Sequence, residues 1–239
     1  MNKDFWNNKN VFITGHTGFK GCWLSIWLAE LGANVTGYSL PPGTTPSMFA
    51  SLGLEKKINT VFGDVRNYDK LKSQIDSAKP EIVIHMAAQA LVLDSYENPI
   101  ETFETNLMGT VNILDAIRDS SSVKVFINVT SDKCYENKEK LNSFKEGDAM
   151  GGIDPYSASK ACSELITSSY RSSFFNGGVA IATARAGNVI GGGDWASNRI
   201  IPDFIKKINQ EQKLAIRNPT AIRPWQFVLE PLNGYLILA

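Results

Sequence analysis

A chain of 239 residues exceeds a typical single domain, yet it fits one large α/β domain or one and a half. Its apolar fraction of 43% and charged fraction of 20% are those of an ordinary globular protein in water. Lys plus Arg and Asp plus Glu both number 24, and this zero net charge removes the basic surplus that nucleic acid or an anionic membrane requires.

No apolar run reaches the roughly 20 residues of a membrane span. The polar start, residues 1–8, has no signal-peptide core, so a cytoplasmic protein is expected. Cys22, Cys134 and Cys162 are odd in number and widely spaced, with no CxxC pair. They read as free thiols, and neither a metal site nor a disulfide framework is expected.

Strand and helix signals alternate from the start. Residues 10–14 form a short apolar strand, and residues 19–31 a helix ended by Gly32. Strands follow at 34–40 and 60–62, then an amphipathic helix at 68–78 that stops before Pro80. Residues 81–86 are a strand apolar on both faces, and 99–117 a long helix with Pro99 in its first turn. A fifth strand at 123–129, a helix at 155–170 and a sixth strand at 179–183 complete the series. Strands apolar throughout, set between helices, imply a parallel sheet covered on both faces: an α/β, Rossmann-type, doubly wound fold. Right-handed crossovers gather the strand C-termini on one edge, where ligands bind.

The alternation weakens past residue 190. Residues 191–195 read as a loop, 202–210 as a helix, 214–217 and 225–229 as short strands, and 231–239 as the start of a helix. The apolar ending, with no cap or polar tail, reads as a chain cut short. The expected division is a dinucleotide-binding domain at 1–185 and a small, partial substrate-binding portion at 186–239, interleaved with the first.

Gly15-His16-Thr17-Gly18-Phe19-Lys20-Gly21 follows the first strand and opens the first helix. Gly15 permits the tight turn, Gly18 the approach of a pyrophosphate, and Gly21 close packing of helix on strand. The G-x-x-G-x-x-G spacing at this position points to the short-chain dehydrogenase/reductase branch of dinucleotide binders. After the second strand, Tyr38-Ser39-Leu40-Pro41-Pro42 carries no charge, and no Arg or Lys stands between Lys20 and Lys56. A 2′-phosphate has no cation to meet there, which favours NAD over NADP. Tyr156 and Lys160 lie one helical turn apart on one face, just beyond Thr130-Ser131 at the end of the fifth strand. An ammonium near a phenol lowers its pKa and makes Tyr156 a base for an alcohol proton.

These motifs, with Gly63-Asp64-Val65 after the third strand, Ala87-Ala88-Gln89 after the fourth and Asn106 in the long helix, resemble the extended short-chain dehydrogenases/reductases that act on nucleotide sugars. The resemblance implies that Gly15, His16, Thr17, Gly18, Phe19, Lys20 and Gly21 surround the NAD pyrophosphate. It puts Asp64 and Val65 at adenine, Ala87 and Ala88 at the ribose and pyrophosphate side, and Lys160 at the nicotinamide ribose. Gln89, Asn106, Val129 and Tyr156 complete the cofactor set.

Within that family, Thr130-Ser131-Asp132-Lys133-Cys134-Tyr135 is similar to the CDP-glucose 4,6-dehydratases, as are residues 185–195 and 222–226. The dTDP-glucose counterparts have Thr-Asp-Glu at this strand end, and epimerases lack the acid pair. The implied substrate is a nucleotide sugar, CDP-glucose. Tyr156 would remove the O4 proton as hydride leaves C4, Lys133 the C5 proton, and Asp132 would protonate the departing C6 hydroxyl. Ser131 would bond near O4, and Gln89, Asn188, Arg199, Arg217 and Arg223 would complete the substrate site. The resemblance also implies a homodimer built from the helices at 99–117 and 155–171, through Phe103, Leu107, Val111, Leu165 and Tyr170. It implies a place in deoxysugar synthesis, including that of lipopolysaccharide O-antigen. Three substitutions stand out, Ala90 for a Pro, Leu93 for an Arg and Phe227 for a His; the family also continues past residue 239. Two rival readings are an epimerase or reductase with the same cofactor residues, and an NAD-binding protein without turnover.

Overall fold

Strands apolar on both faces are stable only between two layers of helix, and the first 185 residues supply both layers. The computed structural model describes residues 2–137, 143–175, 177–216 and 218–239. A short helix α1 (Lys3–Trp6) leads into β1 (Asn10–Thr14), α2 (Phe19–Glu30), β2 (Asn34–Ser39), α3 (Met48–Ser51), β3 (Asn59–Phe62) and α4 (Tyr68–Ala78). Then come β4 (Ile82–His85), α5 (Val92–Glu97), α6 (Pro99–Phe103), α7 (Gly109–Arg118), β5 (Val125–Val129), α8 (Pro155–Phe174) and β6 (Ala180–Ala184).

The six strands are parallel in the order β3-β2-β1-β4-β5-β6. Successive residues of β1 face opposite layers, as strand geometry requires. Val11 and Ile13 join a core with Leu24, Leu28 and Ile84, whereas Phe12 joins one with Leu71, Ile75, Val83, Ile113 and Phe126. Phe12 and Phe126 are fully buried, each contributing about 1.5–3 kcal/mol relative to exposure.

Strand order reverses between β1 and β4, which opens a crevice at their C-terminal ends. Thr14 closes β1 there. Its Oγ1 pairs with His85 Nδ1 at 2.7 Å and accepts from the Met86 and Ala87 amides, each at 3.1 Å. The chain leaving β4 is thereby held beside the start of the glycine loop.

Beyond β6, β7 (Asn188–Ile190) and β8 (Trp225–Phe227) pair in parallel as a separate sheet, with α9 (Ile200–Asn209) between them in sequence and α10 (Leu229–Leu238) after. The strand expected at 214–217 is not formed: residues 214–216 have no ladder partner, and residue 217 lies outside the described residues. Residues 188–190 take the place beside β8, a strand too short and too close to glycines to stand out in the sequence. The long helix expected at 99–117 is also not uniform. A π turn, Glu104–Met108, separates α6 from α7 and lies at Asn106. Among the described residues, no helix is long and apolar enough to cross a membrane.

Candidate active site

The glycine loop crosses the mouth of the crevice. Gly15 has φ +78°, and a Cβ there would sit 2.7 Å from the Ala87 nitrogen, so only glycine lets β1 turn this close to the β4 exit. A Cβ on Gly21 would run into the Gly15 carbonyl, so glycine is what allows α2 to start against the turn. Gly18 stands at the N-cap of α2, and no side chain caps that end. Uncapped amides and the positive pole of a 12-residue helix therefore face the crevice, an arrangement suited to a pyrophosphate.

The other loop residues divide by direction. Thr17 Oγ1 bonds Ser39 Oγ and the Leu40 carbonyl, both at 2.9 Å, tying the loop to the end of β2. His16 turns inward. Its ring is fully buried, edge-on to Phe49 at 5.6 Å and filling the space that Gly37 leaves, and burial lowers its pKa to about 4. The imidazole therefore packs the wall, and only the His16 backbone belongs to the loop surface. Lys20 points toward the reacting end, 5.8 Å from the Tyr235 ring centroid; burial, then repulsion from Arg199, lowers its pKa to about 8.

Along the crevice, Tyr38 donates to the Asp64 carbonyl at 3.0 Å, and the Asp64 carboxylate takes three bonds from Arg66. Val65 is buried, its carbonyl accepting from Asn112 at 2.9 Å. Ala87 and Ala88 are half-buried at the exit of β4. Gln89 folds its side chain onto Leu91, with bonds of 2.8 and 2.9 Å. Asn106 accepts from the Gln89 amide at 2.8 Å and donates to the Gln89 carbonyl and to Ser159 Oγ at 2.9 and 2.8 Å. Asn106 is thus the post on which the Gln89 turn hangs. Both of its donors are spent inside the protein.

β5 and α8 bring the acid–base groups together. Ser131 follows β5 and caps a one-turn helix, Asp132–Cys134, by accepting from the Lys133 amide at 3.2 Å. Its hydroxyl also donates to Asp132 Oδ1 at 3.1 Å. α8 starts with Asp154 accepting from the Ser157 amide at 2.9 Å and Pro155 in its first turn. This places Tyr156 and Lys160 on the face toward β5. Ser131 and Asp132 both act on the Tyr156 phenol from this turn, and Asp132 and Lys133 are half-buried.

Lys160 donates to the Val129 carbonyl at 3.2 Å; burial, with repulsion from Lys20, lowers its pKa to about 7. Here one expectation is corrected. Tyr156 has a raised pKa, because burial outweighs the bond from Ser131 and the charge of Arg199. Lys160 is turned onto a backbone carbonyl, and the opposing cation is Arg199.

The proposed substrate contacts are less closely gathered. Arg199 is held by Asp194 at 3.0 Å. Asn188 lies in β7, its amide bonded to the Pro224 carbonyl at 3.1 Å. Arg223 is exposed and donates to the Ile222 carbonyl at 2.8 Å, while Arg217 lies outside the described residues. Leu93 is 38% and Phe227 48% exposed, the latter edge-on to Trp23 at 6.5 Å. Three residues of the site escaped sequence reading: Thr14, Glu164 and Tyr235. Glu164, spaced four from Lys160 on the same helix face, carried a legible signal. The other two depend on contacts distant in sequence.

Comparison with known proteins agrees with this geometry. The chain is 53% identical to CDP-glucose 4,6-dehydratase of Salmonella typhimurium, over 100% of this chain and 68% of that protein. It is 31% identical to dTDP-D-glucose 4,6-dehydratase of Dictyostelium discoideum, over 90% of this chain and 51% of that one. In fold it is similar to the dTDP-glucose 4,6-dehydratase of Streptomyces venezuelae solved with NAD bound (TM-score 0.83, 22% identity, 96% of this chain and 72% of that one). It is equally similar to UDP-glucose 4-epimerase of Thermotoga maritima (TM-score 0.85, 21% identity, 95% and 72%). The model of the GDP-mannose 4,6 dehydratase family matches residues 12–238. The family resemblance drawn from the motifs is thus borne out: the chain belongs to the GDP-mannose 4,6-dehydratase family of nucleotide-sugar enzymes.

Proposed function

We propose that the chain carries the NAD-binding and acid–base part of a CDP-glucose 4,6-dehydratase. The observation that carries the reading is the turn Ser131-Asp132-Lys133 at the end of β5, whose Asp132 carboxyl acts on the Tyr156 phenol and whose Lys133 follows on the same turn. An epimerase or reductase has no use for that extra acid and base. The 53% identity to the Salmonella dehydratase supports the nucleotide and the reaction together.

The residues fit NAD. The turn at Gly15, the uncapped start of α2, and the edges at Asp64-Val65 and Ala87-Ala88 would hold its adenosine and pyrophosphate, and Lys160 its nicotinamide ribose. Bound NAD supplies an acceptor for the C4 hydride and a source for its return to C6. The rest falls to side chains. Tyr156 takes the O4 proton, with the Ser131 hydroxyl and the Arg199 charge favouring the phenolate against burial. A C4 ketone acidifies the C5 hydrogen, which Lys133 removes while Asp132 protonates the C6 hydroxyl as it leaves, and C5 is reprotonated once C6 has been reduced. Arg199, preset by Asp194, is suited to a diphosphate oxygen, and Asn188 and Arg223 are the further candidates for the nucleotide diphosphate.

The division at residue 185 follows the sheet, since β6 ends at Ala184 and the second sheet starts at Asn188. The three free thiols, two of them buried, suit a reducing cytoplasm. We place the dimer contact on α6 to α8, where Ile100, Met108 and Leu165 are 74%, 45% and 60% exposed. Sedimentation at micromolar concentration should give twice the chain mass; a clean monomer would remove the dimer.

NAD should bind more tightly than NADP, because Thr17, Ser39 and Leu40 at the end of β2, where the ribose would lie, offer hydroxyls and a carbonyl, and no Arg or Lys stands between Lys20 and Lys56. Calorimetric titration with each nucleotide checks this, and a preference for NADP would refute it.

Stability should also depend on pH in a defined direction. Lys160 and Lys20 have folded pKa values of about 7 and 8, below the ordinary 10.5, so unfolding takes up protons in between. The ligand-free chain should therefore gain stability as pH rises from about 7 to 8.5, short of the range where unfolded thiols ionise. Lys160→Met should flatten that slope in urea titrations, and an unchanged slope would show that Lys160 is not the titrating group.

The chemical test separates two lesions. Lys133→Ala should permit C4 oxidation yet stall elimination, so enzyme-bound reduced nicotinamide accumulates after CDP-glucose is added. Tyr156→Phe should block the first proton transfer and give none. Each group is worth roughly 10²–10⁴-fold, well within stopped-flow resolution. Normal turnover by Lys133→Ala would make Lys133 a structural charge and remove the main support for dehydration.

A further inference from the structure

The α8 face that carries Tyr156 and Lys160 continues to Glu164, which the acid–base steps above do not use. Glu164 is 3% exposed, and its carboxylate accepts from Thr130 Oγ1, from Thr183 Oγ1 at 2.8 Å, and from Arg185 Nε and Nη2, both at 2.9 Å. Arg185 Nη1 reaches the Tyr135 hydroxyl at 2.9 Å and the Glu146 carbonyl at 3.1 Å. Its guanidinium also lies 4.8 Å over the Tyr135 ring, which stacks on Phe144 at 4.6 Å.

These partners bracket the Ser131–Lys133 turn. Thr130 precedes it and Tyr135 follows it. Arg185 stands between Ala184 and Ala186, whose carbonyls accept from the Thr130 and Asp132 amides at 2.9 and 3.1 Å. A bidentate Arg–carboxylate pair with its other hydrogen-bonding positions filled is stiff. Removing one partner leaves a buried charge exposed to no compensation. Burial alone would push the Glu164 carboxyl up, but the bonds from Arg185, Thr130 and Thr183 outweigh it and hold it below the usual carboxylate range.

We propose that Glu164 and Arg185 are positioning residues that clamp the turn bearing Asp132 and Lys133 to the helix bearing Tyr156 and Lys160, and so set the spacing between the two acid–base pairs. The proposal rests on the dehydratase reading. Tyr156 and Lys160 belong to a 20-residue helix and keep their places without the clamp, whereas Asp132 and Lys133 hang on a single turn. Loosening the clamp therefore slows elimination more than C4 oxidation.

Glu164→Gln keeps the side-chain shape and removes the charge. Hydrogen exchange at the Asp132 and Cys134 amides should accelerate about tenfold or more, with β1 amides unchanged. With NAD and CDP-glucose, the variant should accumulate enzyme-bound reduced nicotinamide, which a merely structural lesion would not cause. Thr130→Ser keeps the hydroxyl and should match the unaltered chain. Thr130→Val should show both effects in weaker form, and it carries the test if Glu164→Gln does not fold. Exchange that accelerates uniformly across the sheet, or oxidation and elimination slowed in equal proportion, would overturn the clamp. If the unaltered chain fails to dehydrate CDP-glucose, the dehydratase reading falls, and the exchange pattern then decides the clamp alone.

Discussion

Thr14 Oγ1 stands where β1 and β4 part, and it bonds His85 and the two amides that follow β4. A doubly wound sheet must separate its two halves at the switch point to admit a ligand, yet the separating ends still need partners for their backbone groups. One buried hydroxyl meets that need on three sides. Because the β4 exit is fixed, Gly15 can turn within van der Waals range of Ala87. Because that turn is fixed, Gly21 lies against the Gly15 carbonyl and α2 starts with its amides facing the crevice. The anion-binding geometry therefore follows from strand order, and no basic side chain has to create it.

The opposite wall obeys a different rule. α8 buries Tyr156, Lys160 and Glu164 on one face, and titratable groups survive burial only when paired or shifted in pKa. Glu164 is paired and remains an anion, whereas Lys160, which donates to a backbone carbonyl, has its pKa lowered by burial to about 7. The tyrosine keeps its proton more firmly than a free phenol. A helix that were merely structural would bury leucines here. Of the three, only Lys160 is brought by burial to a pKa near neutrality.

What the sequence disclosed follows the range of the interactions concerned. Both-face-apolar strands, the glycine loop and the Tyr156–Lys160 spacing are local patterns, and the sheet and crevice appear where those patterns put them. The inward turn of His16 was not legible, because it depends on Gly37 leaving room across a strand pair. Nor was the role of Asn106, which supports Gln89 from a helix 17 residues away. The strand at 188–190 was hidden by its length, and the apolar residues at 214–216 looked like a strand although nothing pairs with them. The two misread strand regions, 188–190 and 214–216, lie where elements are short and their partners distant.

Fold similarity alone does not separate the possible chemistries, since a dehydratase and an epimerase match this chain almost equally in shape. Both chemistries use a dinucleotide crevice and a tyrosine that moves a proton on a sugar hydroxyl. Dehydration adds one demand: after C4 is oxidised, a base must reach C5 and an acid must reach the C6 oxygen. Those two groups must come from a segment close to Tyr156 yet outside α8, because Lys160 and Glu164, the titratable neighbours on its buried face, are already committed to Val129, Thr130 and Arg185. The turn that ends β5 meets this requirement. Ser131 caps it, and both Ser131 and Asp132 act on the Tyr156 phenol. On the proposed reading, Ser131, Asp132 and Lys133 on one strand end are what would direct a shared scaffold to elimination, provided the turn is held rigidly.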